Sequence, residues 1–176
     1  MEPGRVGLGG IAMMILAIWA PARAAEMGTD VRLEGPRGAL TFEAAHGVLI
    51  SCRDRKTGRE MLAGVEKPRL FALEFDSRDP PGAPRLSLSN QDSRQVRVIE
   101  ERGERSRSVV ITCSDVGGKG VEARCRATVT DGDPLVRWSL DTRFPDGLIL
   151  AAVRFPIITL RPLAEDAGDD AVVCGA

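Results

Sequence analysis

The chain has no tyrosine, one histidine, two tryptophans and five phenylalanines, so aromatic residues make up only 4% of its 176 positions. Stand-alone sugar-binding modules stack the C–H faces of carbohydrates on exposed rings. Trp19 lies in the N-terminal apolar run, which leaves Trp138, Phe42, Phe71, Phe75, Phe144 and Phe155 for any such surface. Each of these sits in a strand-like segment where core packing accounts for it, so binding through an independent aromatic platform is disfavoured. The histidine shortage is equally restrictive. A Ser–His or Cys–His mechanism would have to use His46, and the Ala45-His46-Gly47 context reads as a hairpin turn. Lysine occurs three times, and 24 basic residues face 25 acidic ones for a net charge of −1. That balance gives no electrostatic reason to expect nucleic acid or an anionic membrane as partner. Around Arg102, Arg105 and Arg107 the positive charges alternate with Glu100, Glu101 and Glu104, the pattern of a solvated strand edge.

The N-terminus is different in kind. Arg5 precedes an apolar run from Val6 to Ala20, followed by Pro21 and the small-x-small triplet Ala22-Arg23-Ala24. This order reads as a secretory signal peptide over residues 1–24, cleaved after Ala24. The run of about 15 residues is shorter than the roughly 20 of a spanning helix. The expected mature domain is therefore residues 25–176, periplasmic or extracellular, with no membrane association once the signal is removed. Export makes disulfides available to Cys52, Cys113, Cys125 and Cys174. The first three also lie in apolar β-like segments that suit buried free thiols, and both readings stand. Their spacing fits no zinc site, and no cofactor or metal motif is present. Gly117-Gly118-Lys119-Gly120 lacks the Ser/Thr and following helix of a phosphate loop and reads as a turn.

What the chain does contain is short strands separated by turns. Leu40 and Phe42 share a face. Val109, Ile111 and Cys113 share another, as do Val121, Ala123, Cys125, Ala127 and Val129. Turns are expected at Gly35-Pro36-Arg37-Gly38, His46-Gly47, Asp54–Gly58, Asp79–Pro84, Asp131–Pro134 and Pro145–Gly147. No 3.6-residue period is sustained, although Arg59–Val65 could form one helical turn. These features predict an all-β antiparallel sandwich or barrel, and the sandwich is the expectation taken. Ala171–Cys174 reads as the start of a further strand just before Ala176, so an incomplete sandwich, a fragment of something longer, is expected.

Glycosidase chemistry would require two carboxylates across a cleft. The candidates are Glu74 with Asp76, Asp131 with Asp133, and the group Glu165, Asp166, Asp169 and Asp170. They fall respectively on the outer face of a strand, in a turn and in a tail, so each reads as solvated surface. No catalytic residue is assigned.

Two stretches carry a family resemblance. Residues 39–62, ALTFEAAHGVLISCRDRKTGREML, run strand, tight turn, strand and then Asp-x-x-Thr-Gly-Arg-Glu. From Leu135 the chain reads LVRWSLDTRFPDGLILAAVRFPIITLRPLAEDAGDDAVVCG, with a Trp-containing strand, a later V-x-F-P and an acidic loop. Together these resemble the galactose-mutarotase-like super-sandwich domains that precede catalytic barrels in several glycoside hydrolase families. The nearest likeness is to the N-terminal region of a group of uncharacterised bacterial glycoside-hydrolase-like proteins. The resemblance implies a non-catalytic sandwich beside a downstream hydrolase barrel, with polysaccharide as the ultimate target. It transfers no catalytic residue, because the acid and nucleophile of those families belong to the barrel. The alternative expectation is a complete exported β-domain acting as a carbohydrate- or protein-binding scaffold module.

Overall fold

A computed structural model describes residues 29–77 and 85–162. The expected signal segment, the Pro-rich loop and everything after Pro162, including Cys174, the acidic residues from Glu165 on and the strand expected at Ala171–Cys174, lie outside the described residues. Ten strands follow one another: β1 (Val31–Glu34), β2 (Gly38–Phe42), β3 (Leu49–Asp54), β4 (Ala72–Ser77), β5 (Leu86–Ser89), β6 (Ser93–Arg102), β7 (Ser106–Val116), β8 (Val121–Thr130), β9 (Val136–Arg143) and β10 (Leu148–Arg154). A 3-10 turn, Asn90–Asp92, lies between β5 and β6. The expected all-β antiparallel class is the one observed.

The strands form three antiparallel sheets, ordered β1-β2-β3, β10-β4-β5 and β6-β7-β8-β9. The four-stranded sheet follows from the period-2 alternation of its sequence. Val98, Ile111, Cys125 and Leu140 form one continuous cross-strand row, and Val109, Ala127 and Trp138 form the next. All of them face the core. Strand β8 supplies only small side chains to the middle of this face, Ala123, Cys125 and Ala127. The bulk comes from Phe42 of β2, Phe75 of β4 and Phe71 just before β4, each fully buried. Residues of all three sheets join a single hydrophobic cluster, so the two smaller sheets share one core with the larger one in a sandwich-like arrangement. Full burial of each such ring contributes about 2–3 kcal/mol relative to exposure.

The opposite face of the four-stranded sheet is polar. Glu101 pairs with Arg126 at 2.7 Å and with Arg124 at 3.4 Å, and Ser108 is hydrogen-bonded to Thr128 at 2.8 Å. Val110 is 1% exposed on this face, opposite Arg126, whose aliphatic stem can cover it while the guanidinium stays with Glu101. The expected solvated edge is also present, with Arg102 bound to Glu100 at 3.0 Å at the β6–β7 turn.

One connection departs from its expected form. Arg59–Val65 makes no helical turn. It runs extended, with Glu60 bridged to Arg53 and Leu62 bridged to Leu160. The Glu60 side chain anchors this segment to β3, and that anchor outweighs the local helix preference. The β2–β3 turn does close at His46-Gly47 as expected. Gly47 has φ +63°, and a Cβ there would come within 2.4 Å of Ile111 Cγ2, so both conformation and space require glycine.

Asn90 is the principal buried polar side chain of the fold, at 1% exposure. Its Oδ1 accepts from Leu70 N at 2.8 Å and lies 3.5 Å from Phe71 N, while Nδ2 donates to the His46 carbonyl at 2.9 Å. Replacing it with leucine strands these backbone groups, at about 1–3 kcal/mol for each buried group left unpaired. Asn90→Leu is expected to lower stability by about 3 kcal/mol or more in urea unfolding, and to speed hydrogen exchange at Leu70 and Phe71 before other core amides. A loss below about 1 kcal/mol would show that the asparagine is dispensable.

Candidate functional site

The Asp-x-x-Thr-Gly-Arg-Glu stretch is the most conspicuous polar motif, and each of its side chains has a structural task. Asp54 Oδ1 accepts from Thr57 N and Thr57 Oγ1, both at 2.7 Å, closing the turn that ends at Gly58. The Thr57 hydroxyl and amide hold the Asp54 carboxyl below its ordinary range. Glu60 Oε2 accepts from Ser51 Oγ at 2.6 Å, and its Oε1 accepts from Cys52 N at 2.8 Å and Leu62 N at 3.0 Å. Burial pushes the Glu60 carboxyl upward. The hydrogen bonds from Ser51, Cys52 and Leu62, with Arg53 nearby, outweigh that and leave it below the usual value. Arg59 donates to the Pro162 carbonyl at 2.8 Å.

The carboxylate pairs are likewise engaged. Glu74 and Asp76 share the outer face of β4, where Arg85 reaches Asp76 at 2.9 Å and Glu74 at 3.8 Å, and Arg154 also bonds Glu74. Asp133 accepts from Leu135 N and from Arg137, both at 3.0 Å, and the Leu135 amide holds its carboxyl low. Asp131 lies in the same turn and is exposed. The acidic group from Glu165 onward lies outside the described residues. His46 is exposed and within 2.9 Å of Glu43 Oε2, a turn position as the sequence implies. Among the described residues no group of three or more His, Cys, Asp and Glu could hold a metal ion.

The cysteine alternatives resolve for three of the four. Cys52, Cys113 and Cys125 are free thiols, with Cys113 and Cys125 buried and Cys52 half-buried. Cys113 and Cys125 lie on the core face of neighbouring strands, offset by one register step. Burial raises the Cys113 thiol, with the Ser93 hydroxyl opposing, and burial with Cys113 alongside raises Cys125. Neither has the character of a nucleophile. Of the aromatics, Phe42, Phe71 and Phe75 are fully buried. Trp138 is half-buried between Phe42 and Phe155, edge-on to both at 6.0 Å. Phe144 departs from the core expectation: it is 38% exposed and packs edge-on to Phe75 at 5.2 Å.

The described residues also form a cleft of about 320 Å³. Its walls are the β1–β2 turn, the adjoining part of β3 and the β8–β9 turn. Leu33, Leu40, Val129 and Val136 give it an apolar floor, and Arg37, Arg53, Asp54 and Cys52 stand around it. Sequence reasoning saw Gly35-Pro36-Arg37-Gly38 only as a turn. The signal was the cation at its tip, but the opposing Val129–Val136 wall lies about 90 residues on and no local pattern joins them. A Cβ at Gly38 would fall 2.4 Å from the Arg53 carbonyl, so this wall depends on close backbone approach.

No family model, no curated protein and no solved structure matches the chain. The functional reading therefore rests on the site itself and on the resemblance of the two sequence stretches.

Because the folded-state Glu60 carboxyl is depressed, its stabilisation is fully present above the unfolded value near about 4.3 and is lost as pH falls through the lower folded value. Glu60→Gln is expected to cost about 1–2 kcal/mol at pH 7. In urea titrations the gap from the parent should shrink below about pH 4; a gap constant from pH 7 to pH 3 would refute the carboxylate's role as an ionised clamp.

Proposed function

We propose that residues 25–176 are an exported, non-catalytic β-sandwich module of a polysaccharide-degrading glycoside hydrolase, related to the galactose-mutarotase-like super-sandwiches that stand beside catalytic barrels. The observation that supports this reading most is how the two resembling stretches meet. They are separated by more than 70 residues, yet Arg161 N donates to the Met61 carbonyl and Arg161 Nε to the Leu62 carbonyl, and Ala63 N, next in the chain, donates to the Thr159 carbonyl. The likeness therefore falls on one stitched structural unit. The engaged carboxylates agree with a module that leaves chemistry to a partner, and the β9–β10 flank offers a surface for one. There Phe144, just after β9, is 38% exposed, and Ile149 and Val153 of the edge strand β10 are 44% and 47% exposed, apolar side chains that a neighbouring domain can cover.

The test has two arms. The genomic reading frame beyond Ala176, or an adjacent gene, is expected to encode a βα-patterned barrel with a carboxylate pair. The purified protein alone should hydrolyse none of a panel of soluble polysaccharides. Unrelated downstream genes, or turnover by the isolated chain, would each refute the accessory role. The second reading, a self-sufficient binding or scaffold module, is favoured by the single continuous core. It requires residues 25–176 to unfold cooperatively as a soluble monomer with no barrel encoded nearby.

A further inference from the structure

We propose that the cleft between the β1–β2 turn and the β8–β9 turn binds a small amphipathic anion: a compact apolar body carrying one carboxylate, with Arg37 as the head-group ligand. The inference goes beyond the accessory role and does not depend on it.

Three observations converge. The first is the floor: Leu33, Leu40, Val129 and Val136 are core or core-edge residues, so the cleft opens onto apolar surface instead of a polar groove. The second is charge. Arg37 is exposed at the rim and makes no ion pair among the described residues, whereas Arg53 is already 3.6 Å from Glu60. Asp54 is the one carboxylate lining the cleft, and its Oδ1 already accepts two hydrogen bonds from Thr57. Asp54 stays ionised, but the lining sets two guanidinium groups, Arg37 and Arg53, against this one carboxylate, so its net charge is positive. The third is size and lining. About 320 Å³ lies at the low end for small-molecule sites and admits a body of eight to ten carbons on the order of an octanoyl chain. No aromatic residue lines it, so a sugar ring has nothing to stack on. A carboxylate against Arg37 would gain a charge-assisted, fork-shaped contact while its alkyl body leaves water on the Leu33–Val136 floor.

Titration of the full purified chain with octanoate by calorimetry, with 1-octanol as the neutral control, tests this. Octanoate is expected to bind at one site and more tightly than octanol. Arg37→Gln should weaken octanoate about tenfold or more while leaving octanol unchanged. Cys52 in the cleft wall gives a second readout that needs no cleft variant. In a Cys174→Ser background, octanoate should slow modification of Cys52 by a methanethiosulfonate reagent, with Cys113 and Cys125 unmodified throughout. Equal affinity for octanoate and octanol, insensitivity to Arg37→Gln, or unprotected Cys52 would each overturn the proposal. A failed fold in Arg37→Gln, seen by circular dichroism, would leave the protection experiment to decide it.

Discussion

A buried amide cannot be left half-satisfied, and around Asn90 this constraint ties the parts of the molecule together. Its one side chain receives the start of β4 and holds the β2–β3 turn. Its neighbours extend the same junction: Gln91 Nε2 donates to the Pro68 carbonyl, and Asp92 takes both the amide and the hydroxyl of Ser89. Gly117 N then donates to the Asp92 carbonyl, bringing in the β7–β8 turn. Three connections that belong to different sheets therefore meet at one short 3-10 turn. Hydrophobic burial drives the layers together, but it is non-directional. The polar turn fixes where each layer sits, because only one arrangement satisfies all of these donors and acceptors.

The Glu60 clamp does the same at another edge of the fold. It ties β3 to the extended segment that follows the Asp54–Gly58 turn, and that segment carries the return from residues 157–162. Both devices place a side-chain acceptor opposite backbone amides that no ladder can serve. With those amides satisfied, irregular chain can lie against the core without an energetic penalty that would unravel it.

Much of the fold was legible from the residues alone. Strand β8 announces itself because it has one wet face and one dry face, so alternation survives in the sequence. Strand β4 is harder to read: Leu70, Phe71, Ala72 and Leu73 are all buried, and continuous burial erases the period. Asn90 gave no signal, since a polar residue in Ser89-Asn90-Gln91-Asp92 looks like any exposed turn until its depth is known. The helical expectation at Arg59–Val65 failed because the partners of Glu60, Ser51 and Cys52, come from the preceding strand. Among site candidates, the outer-face reading of Glu74 and Asp76 was recoverable from strand parity. The cleft at Arg37 was not, because its walls are distant in sequence and meet only through sheet packing.

The unpaired state of Cys113 and Cys125 has a consequence for how the chain reaches this structure. These sulfurs sit in the middle of the cross-strand rows, where they act as small apolar volumes. Packing of the central sheet therefore requires no oxidant and no thiol exchange. The redox poise of whatever compartment the chain folds in thus does not gate the formation of this part of the core.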